Sequence, residues 1–349
     1  MPSKPSPLNS CRSGGCTLTG ALSVTTSVVD SATIIHGPAG CAHHNFSLLH
    51  ATGLDNDRIT SLNLFSSGML EPEVIFGGED ALERAIRRAV RGDYSVVYVL
   101  SACIADTIGD DVPAVCRKDW GVPVIPVPTA GFLGGSFQDG VNNALVSIAG
   151  TLTGTAERKN GICANIIGEK NLEFEVEENF NEVSRLLSLL GITINVRFIH
   201  CAGTGELASL GGATLNVLRD EGMGSLGDLL NRKYGTRAVP AFPAGLSGTL
   251  RFLQSAGEIA GTDAGDRIAG ETGAQASLLE DFSDIAGSSI RFDPVFPGLT
   301  DDRSVSEVIE RLGLEVSLEG VRVPAPLSPP VGTAGVRRLL HRWRRALHA

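Results

Sequence analysis

Residues 34–44, IIHGPAGCAHH, carry the signal that decides the fold, because an apolar run ends there in a glycine- and proline-containing loop that leads into a cysteine. The wider segment SATIIHG (31–37) predicts a β-strand that enters a glycine-rich loop. A second run, YSVVYVL (94–100), is apolar and rich in β-branched residues, which is typical of a buried parallel strand, and it ends in SACIADTIGDD (101–111). The sequence therefore predicts two parallel strands, each followed by a cysteine-bearing loop.

Helical patterns alternate with such strands along the chain. GGEDALERAIRRAV (77–90) has acidic residues in its first turn and apolar residues at helical spacing. Further strands are predicted at PVIPVPTAGF (123–132), CANIIGE (163–169), TINVRFIHC (193–201) and RAVPAF (237–242). Further helices are predicted at QDGVNNALVSIAGTL (138–152), EENFNEVSRLLSLLG (177–191), SLGGATLNVLRDEG (209–222) and LSGTLRFLQSAGEIAG (246–261). This alternation predicts an α/β fold of two to three Rossmann-like, doubly wound parallel-sheet domains.

The predicted domain organisation has four parts. Residues 1–15 are polar and rich in proline and serine, which predicts a flexible N-terminal arm. Residues 16–155 form a first Rossmann-like domain and residues 156–262 a second. Residues 263–349 form an abbreviated third domain that ends in the basic helix VRRLLHRWRRALHA (336–349), interpreted as a packed amphipathic helix rather than an RNA-binding element.

Composition and charge restrict the class of protein. The 349 residues carry a formal net charge of −10, which argues against general nucleic-acid binding. No apolar run reaches the roughly 18 to 20 residues that a membrane span needs, so we expect none. The N-terminal residues MPSKPSPLNS have no apolar core, so we expect no signal peptide and a cytoplasmic location.

Three of the seven cysteines have a context that favours metal binding. Cys16, Cys41 and Cys103 each lie in a glycine-rich or strand-end loop, and loops at the carboxyl ends of neighbouring parallel strands converge. Converging thiolates, with glycines that allow close approach, are what an iron–sulfur cluster requires. The alternative is that these residues are three unrelated small hydrophobic side chains, since no compact C-x-x-C pattern is present.

The remaining cysteines and the histidines of this region receive other predictions. Cys11 is an alternative cluster ligand within the N-terminal arm. His36 is expected to hold the GPAG turn by a hydrogen bond, whereas His43 and His44 are candidate proton donors near a redox centre. Simple burial is expected of the other three cysteines, which are Cys116, Cys163 and Cys201.

Nucleotide-binding patterns are weak or missing in the sequence. GTGELASLGG (203–212) follows a predicted strand but lacks the G-x-G-x-x-G spacing of a dinucleotide loop. No G-x-x-x-x-G-K-[ST] pattern occurs in the chain. If ATP and Mg²⁺ are used, a partner protein must therefore hydrolyse the nucleotide.

The ordered set of motifs resembles the nitrogenase component 1 superfamily. GGCTLTGA, IHGPAGC and SACIADTIGDDV resemble its three cluster-cysteine segments, and these segments contain Cys16, Cys41 and Cys103. The similarity covers most of residues 11 to 260 and the tail near 327 to 340. It implies a component 1-like fold, a [4Fe-4S] cluster, a homodimer, and an electron-donating partner that is a P-loop ATPase like the nitrogenase iron protein.

Departures from the superfamily pattern indicate which members the chain is most similar to. No cysteine follows Cys201, and the later histidines are His341 and His348, so a molybdenum–iron cofactor site is not expected. The short third domain and the segment SGGCTLTGALS (13–23) are most similar to those of the large subunits of nickel-sirohydrochlorin a,c-diamide reductive cyclases. That similarity implies reduction and cyclisation of a nickel tetrapyrrole in the coenzyme F-430 biosynthesis that serves methanogenesis.

Three alternatives to the reductive cyclase stay open. The chain is also similar to subunits that reduce protochlorophyllide or chlorophyllide. Some superfamily members are non-catalytic scaffolds on which a metal cluster matures. The third alternative is a nucleotide-dependent α/β enzyme with incidental cysteines, which would bind NAD or FAD and no iron.

Overall fold

The computed structural model describes residues 15–55, 62–129, 131, 135–151, 161–292, 303–326 and 328–349. Three separate β-sheets, all with parallel strand pairs, organise these residues. The predicted α/β class is therefore confirmed. The predicted arm, with Cys11, lies almost wholly outside the described residues. In the part of the chain that is described, no helix is long and apolar enough to cross a membrane.

The first sheet has four strands in the order β2-β1-β3-β4. Every residue of β1 and β3 is buried, which explains the apolar run of β3, whereas β1 also buries the polar residues Ser31, Thr33 and His36. The strands are β1 (Ser31–His36), β2 (Leu64–Ser66), β3 (Val96–Ser101) and β4 (Val124–Val127). The helices are α1 (Thr17–Thr25), α2 (Ala39–Asp55), α3 (Glu71–Phe76), α4 (Glu79–Ala89), α5 (Cys103–Ile108), α6 (Val112–Cys116) and α7 (Phe137–Thr151).

Helices α1 and α7 pack with their backbones almost in contact because each presents a glycine to the other. A Cβ atom added at Gly20 would lie 2.0 Å from the carbonyl oxygen of Phe137, and one at Gly140 would lie 1.9 Å from that of Thr17. Every residue of α1 is buried. The start of α1, which carries Cys16, is therefore fixed by a helix from the far end of the same domain.

The second sheet has the order β6-β5-β7-β8. Its strands are β5 (Cys163–Ile167), β6 (Thr193–Phe198), β7 (Leu215–Leu218) and β8 (Arg237–Val239). Its helices are α8 (Val176–Leu189), α9 (Thr204–Leu207), α10 (Gly224–Tyr234) and α11 (Gly245–Ala260).

The helix predicted at 209–222 is wrong, because this segment contains the central strand β7. Gly211 packs against the Tyr234 ring, where a Cβ atom would lie 2.8 Å from the nearest ring carbon. Asn216 on β7 accepts a hydrogen bond from Asn165 Nδ2 at 2.8 Å and donates to Thr236 Oγ1 at 2.9 Å. Burial between β5 and β8, together with these amide bonds, stabilises a strand in a segment whose apolar spacing also suits a helix.

The third sheet is small, with the order β10-β9-β11. Its elements are α12 (Gly265–Asp281), β9 (Ser289–Phe292), α13 (Arg303–Arg311), β10 (Glu315–Val316), β11 (Val321–Val323) and α14 (Gly332–Leu347). Helix α14 buries Val336, Leu340 and Trp343, while its arginines bind acidic groups such as Glu175 and Asp284. It is thus a packed amphipathic helix, as predicted. The three sheets occupy successive stretches of the chain, and the exact domain boundaries stay a prediction.

We predict that Gly140→Ala lowers the free energy of unfolding by about 1–3 kcal/mol, because the added methyl group meets a backbone oxygen that cannot move away without shifting α1. Denaturant unfolding measures this change. Gly150→Ala on the same helix is the matched control, since nothing lies within 4 Å of its Cβ position. Equal stability of the two variants would contradict the close packing of α1 and α7.

Candidate cluster site and adjoining cavity

The three cysteines singled out in the sequence lie at the amino-terminal ends of three helices. Cys16 is the residue just before α1, Cys41 is in the first turn of α2, and Cys103 is the first residue of α5. Helices α2 and α5 follow the neighbouring strands β1 and β3, so both begin at the same edge of the sheet. All three side chains are half-buried and none forms a disulfide.

The three thiols are close enough to interact electrostatically. Burial raises the pKa of the Cys41 thiol, and the neighbouring Cys16 and Cys103 raise it further, because thiolates repel one another. Simultaneous ionisation of all three is therefore unfavourable without a compensating positive charge. Metal binding would supply that charge and displace the protons.

The donor set fits an iron–sulfur cluster better than a single metal ion. In the described ranges, no three His, Cys, Asp or Glu side chains are placed to share one ion. Cluster thiolates bind different irons, so they are farther apart than the ligands of one ion. The free N–H groups at helix amino termini also favour a negatively charged group. Cys16, Cys41 and Cys103 would hold such a cluster, and the described part of the chain shows no further ligand beside these three.

A close contact between two loops brings Cys41 and Cys103 together. A Cβ atom at Gly37 would lie 2.4 Å from the Cβ of Ala102, so only glycine allows the loop after β1 to approach the loop after β3 this closely. The amide of Ala102 donates a hydrogen bond to the carbonyl of His36 at 2.8 Å. The glycine noted in the IHGPAGC segment therefore has a specific packing role.

His36, the last residue of β1, is fully buried and connects the loop after β1 to the segments that contain Ser67 and Asp110. Its Nε2 lies 2.9 Å from Asp110 Oδ2 in the IGDD turn, and its Nδ1 lies 3.1 Å from Ser67 Oγ. Ser67 Oγ in turn accepts a hydrogen bond from the Gly37 amide at 2.9 Å. These contacts agree with the turn-holding role expected of His36. Burial lowers the pKa of His36, although Asp110 acts in the opposite direction.

The structure places the other candidate residues away from this site or on the surface. His43 and His44 are exposed on α2 and do not line the cavity described below. Cys116 and Cys163 are buried, as expected. Cys201 was expected to be buried and is exposed instead, because β6 ends at Phe198 and Cys201 lies beyond it with a left-handed φ of 54°.

A cavity of about 610 Å³ lies where α2, the segment after β5, and the start of α14 meet. Helix α2 connects it to the cysteine site, since Cys41 and Leu49 are eight residues apart and about 12 Å along the axis. The lining residues are Leu49, Gly53, Asp55, Leu62, Asn171, Glu173, Phe174, Glu175, Val176, Glu177, Glu178, His200, Pro324, Ala325, Pro326, Ser328, Pro330, Gly335, Leu339 and Arg342.

The wall of this cavity is rich in carboxylates that are bound to cations behind it. Glu173 binds Lys170 at 2.6 Å and Arg219 at 3.0 Å. Glu175, which has a left-handed φ of 57°, binds Arg338 and Arg342 of α14. Such backbone strain is held only where surrounding contacts determine it. The sequence analysis missed this cavity, although the acidic run EFEVEE (173–178) was a local signal.

A buried carboxylate, Glu169, lies near the same wall. Burial raises the pKa of Glu169 to about 7, even though Arg197 Nε binds it at 3.0 Å. The Arg197 guanidinium also donates to Glu177 Oε2 at 2.9 Å. The cavity therefore adjoins a connected group of ionisable side chains.

Comparison with known families and proteins gives one consistent set of matches. Residues 16–322 match the family described as nitrogenase component 1 type oxidoreductase. The chain is 31% identical over 256 residues to the nitrogenase iron-molybdenum cofactor biosynthesis protein NifE of Clostridium pasteurianum, which covers 71% of this chain and 54% of that protein. It is 26% identical over 268 residues to the nitrogenase molybdenum-iron protein alpha chain of Methanothermobacter marburgensis, covering 71% and 56%.

A solved structure shares the fold. The structure titled nitrogenase Cp1 at pH 5 matches with a TM-score of 0.68 and 22% identity, covering 90% of this chain and 65% of that one. The chain spans about half the length of the curated relatives it matches.

We predict that His36 makes stability depend on pH below about 6.5, its ordinary pKa. Its folded-state pKa is lowered, so the unfolded chain binds the proton more tightly and stability falls as pH falls, by at most about 1.4 kcal/mol per pH unit. Denaturant unfolding of wild type and His36→Gln from pH 7.5 to 5 should show the stability difference shrinking with pH. Exposed His43→Gln serves as the control, and a difference that stays constant would refute the prediction.

Proposed function

We propose that this chain, which belongs to the nitrogenase component 1 type oxidoreductase family, is the cluster-bearing subunit of a two-component reductase. The observation that carries the proposal is the set of three interacting thiols at the starts of α1, α2 and α5. Proteins of this family bind iron–sulfur clusters, work with an iron-protein partner and are oligomeric. In this chain, the cluster is a [4Fe-4S] cluster, which supplies single-electron transfer when bound.

An exposed apolar surface beside the thiols supports docking of the electron donor. Leu70, Ile75 and Phe76 are 69%, 63% and 87% exposed, and α3, which ends at Phe76, packs against α5, which begins at Cys103. Large apolar groups exposed together mark interaction surfaces. The partner is an ATPase like the nitrogenase iron protein, because this sequence has no P-loop of its own.

A second exposed apolar surface supports pairing of two copies of the chain. Leu48 is 38% exposed on α2 and lies seven residues, or about two helical turns, after Cys41, so it shares the side of the helix that carries this thiol, whereas the exposed Phe46 and Leu54 lie on another side. A homodimer that pairs through the Leu48 side would bring two sets of cysteines toward each other. One bridging cluster per dimer, rather than one per chain, is the form that this arrangement favours.

The proposed substrate is a nickel tetrapyrrole, reduced and cyclised as in coenzyme F-430 biosynthesis. It is supported by the lack of later ligands for a resident cofactor, since no cysteine follows Cys201. His341 packs against the Phe282 ring and His348 binds Asp284, so neither histidine lines the cavity. The carboxylates of the cavity wall are unfavourable for the acidic side chains of a tetrapyrrole, which therefore have to lie toward Arg342 or solvent. Protochlorophyllide and chlorophyllide are the alternative tetrapyrroles.

A scaffold for metal-cluster maturation is the second candidate function. The names of the cofactor biosynthesis relatives favour it, including NifE of Clostridium pasteurianum at 31% identity. Such a scaffold would bind the cluster without turning over a tetrapyrrole. Anaerobic turnover with the partner ATPase, ATP and nickel-sirohydrochlorin a,c-diamide separates the two functions, because only the reductase yields a cyclised product.

We predict that Cys41→Ser removes most of the iron and sulfide and the electron paramagnetic resonance signal of the reduced protein, because one thiolate of the three is lost. Cys201→Ser is the matched control and should keep both, since Cys201 is exposed and lies outside the site. About four irons per dimer indicate the bridging form, and four per chain count against it. An iron-free wild type after reconstitution would end the cluster proposal.

We predict that Phe76→Ala slows electron transfer from the partner ATPase about tenfold or more while the iron content stays unchanged, because a buried aromatic anchor typically contributes 2 kcal/mol or more at an interface. Single-turnover reduction of the cluster, followed by its absorbance, measures the rate. Leu318→Ala is the control, since Leu318 is 91% exposed in the third sheet region. Equal slowing by both variants would rule out docking at α3.

A further inference from the structure

A buried histidine, His200, lies in the wall of the cavity described above. It follows the last residue of β6 by two positions, and its side chain is only 1% exposed. Histidine is the side chain whose ordinary pKa is nearest to neutral pH, so it suits proton transfer under physiological conditions. A reductase that adds electrons to a bound ligand also has to add protons, and His200 lines the cavity in which such a ligand would bind.

Glu177 links His200 to solvent. Its Oε1 lies 3.2 Å from His200 Nε2, while its Oε2 accepts a hydrogen bond from Arg197 at 2.9 Å. Half of the Glu177 side chain is exposed, and it also lines the cavity. The carboxylate is therefore held by Arg197 in a position where it orients the imidazole and reaches water.

The ion-paired carboxylates of the wall are less suitable as proton donors. Although burial acts in the opposite direction, Lys170 and Arg219 hold the pKa of Glu173 below its ordinary value. Glu175 is bound to two arginines of α14. Carboxylates held ionised by cations accept hydrogen bonds but have no proton to give near pH 7.

We propose that His200 is a catalytic residue that donates protons to the ligand reduced in the cavity, and that Glu177 is its positioning residue. This inference rests on the proposed reductase function. The iron–sulfur partner is oxidised and the ligand is reduced, with one proton for each electron. An imidazolium N–H bond breaks, a bond from that hydrogen to the reduced ligand atom forms, and the neutral imidazole regains a proton from water while Glu177 holds the ring in place.

The charged surroundings of His200 determine how its protonation responds to pH. Glu177 is the direct partner, and Arg197 connects it to Glu169. Among the described residues, the other charged groups that line the cavity are Asp55, Glu173, Glu175, Glu178 and Arg342, and Lys170, Arg219 and Arg338 bind Glu173 and Glu175. The negative charge of Glu177 favours the imidazolium form that a proton donor needs, and burial of the ring acts in the opposite direction.

The first test is the titration of the imidazole itself, followed by nuclear magnetic resonance of ring-¹³C-labelled histidine in the reconstituted full-length protein. His200→Gln assigns the resonance. We expect His200 to titrate between pH 5 and 8, and Glu177→Gln to lower its midpoint by about one unit, because the negative charge is removed. A ring that stays neutral over this range, or a midpoint that Glu177→Gln leaves unchanged, would overturn the proposal.

The second test is turnover by the holoprotein with the partner ATPase, ATP and nickel-sirohydrochlorin a,c-diamide. We expect His200→Gln to lower kcat by about 10²- to 10⁴-fold, while the Kd for the tetrapyrrole changes less than about twofold. Glu177→Gln should shift the pH profile of kcat, and this variant decides the matter if His200→Gln does not fold. The control is His348→Gln, because His348 binds Asp284 and does not line the cavity, and this variant should keep the wild-type rate.

The outcomes of the two tests separate the two proposals. A wild type that does not reduce the tetrapyrrole contradicts the proposed substrate, while the imidazole titration still decides whether His200 can donate a proton. An active His200→Gln variant with an unchanged pH profile contradicts the role of His200 and leaves the reductase function intact.

Discussion

The parallel pairing of β1 with β3 is the constraint on which the rest of the site depends. Six residue pairs, from Ser31 opposite Val96 to His36 opposite Ser101, are in register and fully buried. Because both strands end at the same level, Gly37 meets Ala102, and the helices that follow begin side by side. A slip of one residue would turn the strand side chains to the opposite faces and separate the two cysteine loops.

Helix α2 links the two parts of the molecule that the proposed function requires. Its first turn carries Cys41, and Leu49, Gly53 and Asp55 further along line the cavity. The distance between thiol site and cavity is therefore set by one rigid element and not by a loop. The glycine contacts between α1 and α7 fix the third cysteine helix against the same domain in a comparable way.

The sequence was sufficient for those features that depend on local pattern. The strands β1 and β3 and the cysteine-bearing loops that follow them were predicted from local pattern, and Cys16, Cys41 and Cys103 lie close enough to interact. That these three residues are cluster ligands stays a prediction. Local pattern failed at β7, where burial between neighbouring strands decides the conformation, and at Cys201, where β6 ends earlier than its apolar run suggested. The cavity was not predicted because its walls come from three chain segments, 49–62, 171–200 and 324–342, that are separated by more than about 100 positions, so no single segment reveals it.

The central claim is that the thiols of Cys16, Cys41 and Cys103 hold one iron–sulfur cluster. Anomalous X-ray diffraction at the iron edge, from crystals of the anaerobically reconstituted protein, tests this most directly because it locates iron without assuming its ligands. The account predicts a single compact iron peak within bonding distance of all three Sγ atoms. Iron bound at Cys116, Cys163 or Cys201, or iron scattered over surface sites, would contradict it.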